Sequence, residues 1–158
     1  MKIVADYSGL EKLKRQLLEL ASAKPNVEVG YFEDKKYGPE NDNLHVATVA
    51  YLQEMGTDKI PQRPFFTLAV SDTLVGDVNN VMCAEYGKAF SRWLKGGQIS
   101  LKPVGNVLKE RVEHHIASWG AGYENPTNSP ATVARKGFDK PLIDTKRMLT
   151  SVEVRKKK

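Results

Sequence analysis

The chain has 158 residues, 41% hydrophobic and 27% charged, enough apolar material for one domain with its own core. No apolar run approaches bilayer-spanning length, and Met1 to Asp6 hold no stretch of signal-peptide size, so a cytosolic protein is expected. Cys83 is the single cysteine, which excludes an intrachain disulfide. The net charge of +5 is uneven. Residues 1–100 carry 12 Lys/Arg against 13 Asp/Glu, a net of −1, and residues 101–158 carry 12 against 6, a net of +6.

Ser8 with Glu11 three residues later reads as a capping box opening a helix, with Leu10, Leu13, Leu17, Leu20 and Ala21 on one face. Lys24-Pro25-Asn26 ends it. Val27, Val29 and Tyr31 alternate with Glu28, Gly30 and Phe32, which predicts a strand. Residues 33–43 are polar and read as an exposed loop. Asn43 is expected to cap a second helix with Val46, Val49, Ala50 and Gln53 on its inner face, and Gly56 to stop it in a left-handed cap. Residues 57–64 then read as an extended arm, because Ile60 and Arg63 each precede a proline and avoid the helical region.

The longest helical pattern runs over 66–94, through Val70, Leu74, Val78, Val81, Met82, Ala89, Phe90 and Trp93. Gly76 and Gly87 weaken it, and a kink or break near Gly76 is expected. Cys83 lies in this pattern and reads as a small buried hydrophobe. A further helix is predicted over 101–118, with Val104, Leu108, Val112 and Ile116 on one stripe, Pro103 in the first turn and Gly120 beyond its end. Gly122 to Asn128 is a loop. Ser129-Pro130 opens a short helix that Gly137 closes. Leu142 and Ile143 form an apolar anchor, Asp144 caps another turn, Ser151 to Val154 alternate as a last strand, and residues 155–158 are a basic, flexible tail. The fold expected is a single α+β domain over 1–158. A small, mostly antiparallel sheet, paired non-locally, packs against several helices, with extended loops between them.

Catalytic chemistry finds little foothold. His114 and His115 are adjacent on a helix and point about 100° apart, so they do not share one ion as an i, i+4 pair does. Glu54, Asp58, Asp139 and Asp144 supply carboxylates, but no spacing selects an acid/base pair. Asp144 fits a helix cap, and Glu54 or Asp58 is expected to pair with Arg63. Lys95-Gly96-Gly97 and Arg135-Lys136-Gly137 lack the spacing of phosphate loops. Trp93 and Trp119 end helical stripes and read as core or interface anchors. No catalytic, cofactor-binding or metal-ligating residue is assigned, and the expectation is a protein that is not an enzyme and carries no cofactor.

Two turn-rich segments are more informative. The first is Val49-Ala50-Tyr51-Leu52-Gln53-Glu54-Met55-Gly56-Thr57 continued by Ile60-Pro61-Gln62-Arg63-Pro64-Phe65-Phe66. The second is Asn128-Ser129-Pro130 to Thr132, then Lys136-Gly137 and Lys140-Pro141-Leu142-Ile143-Asp144-Thr145. In content, order and separation they resemble the tail-completion or neck proteins of tailed bacteriophages, a group that includes minor tail protein Z-like and virion morphogenesis proteins. The similarity covers most of residues 44–154. Lys146 departs from the pattern, which usually places glycine after the threonine, where it would relax the turn.

The resemblance implies a structural virion protein at the head–tail junction, made in the host bacterial cytoplasm. It implies a homo-oligomeric ring, a hexamer or dodecamer, that joins the head connector to the tail. Duplex DNA passes through such a ring without sequence-specific binding, and no membrane is involved. Arg63, Phe65, Phe66, Asn128 and Pro130 are the candidate contacts to neighbouring subunits or rings, in the arm 57–66 and the loop 121–130. For the phenylalanines the alternative is that they plug the domain's own core. A second functional reading is a basic module for double-stranded nucleic acid. It needs a recognition helix, and the best candidate, 101–118, offers only Lys102, Lys109 and Arg111.

Overall fold

The helix α5 (Lys102–Ser118) is the element on which the rest is assembled. The computed structural model describes residues 7–119 and 126–157. Val104, Gly105, Val112, His115 and Ile116 are buried along α5, and the helix touches α3 (Phe65–Asp72), α4 (Gly76–Leu94) and α7 (Arg147–Thr150). It also covers a sheet of two strands, β1 (Val27–Gly30) and β2 (Glu153–Lys156). These pair antiparallel, with Val27 opposite Lys156 and Val29 opposite Val154. A two-stranded ribbon is marginal alone, so the covering helix supplies much of its stability. Gly105 makes the approach possible. A Cβ there would lie 2.5 Å from Cγ1 of Val154 and 3.2 Å from Cγ2 of Val27.

The main core joins Val46 and Ala50 of α2 (Val46–Met55), Phe65 and Ala69 of α3, Val112 and Ile116 of α5, then Trp119, Ile143, Met148 and Val152. The Tyr31 ring stands edge-on to Phe65 at 6.4 Å, the geometry that aromatic quadrupoles favour. The architecture is the α+β arrangement expected, with a small antiparallel sheet and several helices, and its strands pair across nearly the whole chain. The long pattern over 66–94 is two helices. They break at Val75–Gly76, where Gly76 takes φ +62 and starts α4.

Several local expectations are corrected. Helix α1 (Ser8–Ala23) has Tyr7, not Ser8, in the capping position. His45 precedes α2, and Asn43 instead sits in a left-handed turn at φ 52, where it cannot start a helix. The last strand lies two residues later than the alternation placed it, because Ser151 and Val152 are buried before β2 begins. Arg155 and Lys156, read as part of a flexible tail, belong to that strand. The Arg155 guanidinium donates to Asp34 at 2.7 Å and to Glu153 at 2.7 Å and lies 4.0 Å from the centre of the Phe32 ring. Cys83 is exposed rather than buried, since α4 turns that side away from α5. Gly120 and residues 122–125 of the loop expected over Gly122 to Asn128 lie outside the described residues.

Candidate interaction groove

The two turn-rich segments, far apart in sequence, fold against each other. The first begins where Gly56 closes α2, its N–H donating to Leu52 O at 3.0 Å with φ +73. A Cβ at this position would lie 2.8 Å from the backbone nitrogen of Gln62, so the chain doubles back directly over it. The Thr57 hydroxyl accepts from the N–H groups of Lys59 and Ile60, and Thr57 N–H donates to Ile60 O at 2.7 Å. Residues 57–62 are thus a tight loop rather than the extended arm expected, because a threonine turn and Gly56, whose φ 73 and ψ 172 lie outside the left-handed helical cap expected of it, outweigh the extended preference of the pre-proline residues.

Arg63 fastens that loop. Its N–H donates to Gln53 O at 2.8 Å and Nη1 to Gln53 Oε1 at 2.6 Å. Nη2 reaches the carbonyl oxygens of Pro126, at 3.5 Å, and Thr127, at 3.3 Å. The expected pairing with Glu54 or Asp58 is therefore not what holds Arg63. Glu54 instead accepts from Phe66 N at 2.8 Å and Thr67 N at 3.0 Å, filling the open donors at the start of α3.

The second segment is equally fixed. Ser129 caps α6 (Pro130–Lys136), its hydroxyl accepting from Thr132 N at 3.3 Å. Gly137, at φ 78, closes the helix with N–H to Val133 O. Asn128 donates through its backbone and its Nδ2 to Asp139 Oδ1, at 3.2 and 2.8 Å. Asp144 does not cap the next turn. It accepts from Arg135 Nη2 at 3.0 Å, and the position before α7 belongs to Lys146. Leu142 at φ 61 and Lys146 at φ 60 both hold left-handed backbone that a side chain disfavours.

Between the segments lies a groove of about 320 Å³. Lys59, Arg63, Arg135, Lys136 and Arg147 line it, with Asp144 the one acidic side chain among the described residues of its lining, over a floor that includes Val49, Leu142, Ile143 and Met148. Arg63 is 5% exposed. Burial pulls its guanidinium below the usual arginine range, with Asp139 acting against the shift. Burial likewise lowers the Lys136 ammonium, whose Nζ donates to Lys140 O at 2.7 Å.

The five residues named from sequence separate. Arg63 and Asn128 share the groove. Phe65, 1% exposed, is spent in the chain's own core. Phe66 is half-buried and lines a different cavity of about 340 Å³ beside Tyr31 and Glu54. Pro130 is exposed at the start of α6.

A polar cluster that no motif announced lies elsewhere. His115, on the buried side of α5, donates through Nε2 to Asp72 Oδ2 at 2.8 Å, and Arg111 donates through Nε to the same oxygen at 2.7 Å. Arg111 and His115 sit at i, i+4, the spacing that would have shown them on one face. Burial pushes the Asp72 carboxyl up, but these hydrogen bonds outweigh it and leave the group below its ordinary value. Among the described residues no group of three or more His, Cys, Asp and Glu side chains is placed to hold a metal ion. No family model, no curated protein and no solved structure matches the chain.

Proposed function

We propose that this chain is a structural subunit of the bacteriophage neck, acting in a ring that joins the head connector to the tail and surrounds the DNA path. One observation carries the reading furthest: both segments that resemble neck proteins build one shared groove, locked by Arg63 across 64 positions. The glycines of those segments have conformational reasons. Gly56 and Gly137 hold φ 73 and 78, and Lys146, where the resemblance calls for glycine, holds φ 60. The second reading, a nucleic-acid module led by α5, is weaker. That helix is packed by α3, α4, α7 and the sheet, and its Arg111 is engaged by Asp72.

Sedimentation velocity over a concentration series, with and without labelled duplex DNA, tests the proposal. A closed oligomer of one size with little DNA binding at physiological salt is expected. Monomers or dimers that bind duplex tightly, with affinity falling steeply as salt rises, would overturn it in favour of the nucleic-acid module.

A further inference from the structure

We infer that the groove between the 57–63 loop and the 128–147 segment is a docking site for an extended acidic peptide of another protein, one that places a bulky apolar side chain between carboxylates. The inference deepens the neck reading and rests on it only for where the partner comes from; the chemistry stands on the groove itself.

Arg63 carries the argument. Its guanidinium is almost wholly buried, yet its partners are an amide oxygen and two backbone carbonyls, and it makes no ion pair among the described residues. Among the described residues its Nε is buried with no hydrogen-bond partner. A cation so far from water is costly unless an anion lies near, and the local dielectric strengthens attraction to any carboxylate that arrives. Lys59, Arg135, Lys136 and Arg147 add four more positive charges around the same groove; among the described residues these face Asp144, which Arg135 already engages, and Asp139 nearby, which takes hydrogen bonds from Asn128.

The floor decides between partners. Leu142, Ile143 and Met148 give the groove of about 320 Å³ an apolar stretch of floor suited to an apolar side chain, which a sugar–phosphate backbone lacks. Arginine forks at the rim suit carboxylates on either side of that anchor. Leu142 and Lys146 hold left-handed backbone beside this pocket, the kind of local strain that recurs at binding sites.

The test is amide chemical-shift mapping of the full chain with a five-residue peptide, a central leucine flanked by two acidic residues on each side. Shifts are expected to concentrate at 59–63, 129–136 and 142–148. Replacing the peptide's acids by amides should abolish them. The double variant Arg135→Ser, Lys136→Ser should weaken binding about tenfold or more, since hydrogen bonds to charged groups are worth that much. A Lys12→Ser, Lys14→Ser control on α1 should bind as the parent does. Both variants lie on exposed or half-exposed positions, and unchanged thermal unfolding confirms that each is folded.

Absence of groove shifts at millimolar peptide, equal shifts from the amide peptide, or stronger groove shifts from inorganic phosphate or a short DNA duplex would each overturn the inference. Groove binding without ring formation would leave it standing and sink the neck reading. Ring formation without groove binding would do the reverse.

Discussion

Nη2 of Arg63 donates to the carbonyl oxygen of Thr127 at 3.3 Å, joining residues 64 positions apart and closing one side of the groove. The same guanidinium holds Gln53 Oε1 at 2.6 Å. Replacing Arg63 by alanine removes these charge-assisted bonds to half-buried Gln53 and to the exposed carbonyls of Pro126 and Thr127, while also removing a buried charge. The expected net loss is about 2 kcal/mol, seen as a lower urea midpoint at unchanged slope. Lysine should recover less than half, because a point ammonium cannot reproduce the planar fork. An unchanged midpoint in the alanine variant would mean that the lock contributes nothing.

Lys146 holds φ 60 just before α7. Left-handed backbone costs a side-chain-bearing residue about 1–2 kcal/mol, and glycine's extra freedom in the unfolded chain returns about 0.5–1 of that. Lys146→Gly should therefore stabilise the protein by up to about 1 kcal/mol, and Lys146→Val should destabilise it. Thermal unfolding of both variants decides the matter, and a loss of stability in the glycine variant would show that no strain is stored there.

Gly105 and Val154 make a second testable pair. Alanine at 105 gains about 1 kcal/mol of helix propensity but must place its Cβ 2.5 Å from Val154 Cγ1, an overlap that costs about 1–3 kcal/mol. The expected outcome is a net loss of about 1 kcal/mol. In a Val154→Ala background the same substitution should become neutral or stabilising. A double-mutant cycle with no coupling would count against the close approach of α5 to the sheet.

Acid sensitivity follows from three carboxylates. Asp72 is pushed up by burial but lowered on balance by His115 and Arg111. Asp34 is lowered by the Arg155 hydrogen bond, and Glu153 by Arg155 and Lys35. Each has a folded value below its unfolded one, so the unfolded chain binds more protons through that interval and stability rises with pH there. The contribution is complete above the unfolded values, about pH 4, and is lost as pH falls through the folded ones. Urea midpoints between pH 2 and 7 should be flat at the upper end and drop in acid. Asp72→Asn should flatten part of the acid limb, and an identical limb in that variant would remove Asp72 from the account.

Cys83 sits on the exposed side of α4, 3.1 Å from Asn79 Oδ1. The native protein should react with a thiol-specific disulfide reagent at one site without denaturant. Reaction only after unfolding would place the thiol in a core instead.

The stripe at 104, 108, 112 and 116, the Ser129-Pro130 start and Gly137 stop of α6, and the break at Gly76 were all legible in the sequence. Each is set by residues within a turn or two: apolar periodicity, a side-chain cap, a glycine in left-handed backbone. The strand Val27–Gly30 was legible for the same reason. By contrast, local signals misplaced the start of β2, the cap of α2 and the burial of Cys83. Ser151 and Val152 are recruited by the core, Asn43 is taken by a turn, and α4 leaves one face uncovered.

By itself, then, the sequence determined most of the helices, the α+β character and the two turn-rich segments, because these depend on interactions over a few residues. Only the tertiary structure decided that Arg63 is buried, that Phe65 belongs to the core, and that Asp72 gathers Arg111 and His115. It also decided that basic side chains of both segments, with Arg147 just beyond the second, line one groove. Partner choice for a charge is set by distance in space across loops whose closure cost grows only slowly with length, and no local pattern records which loops close.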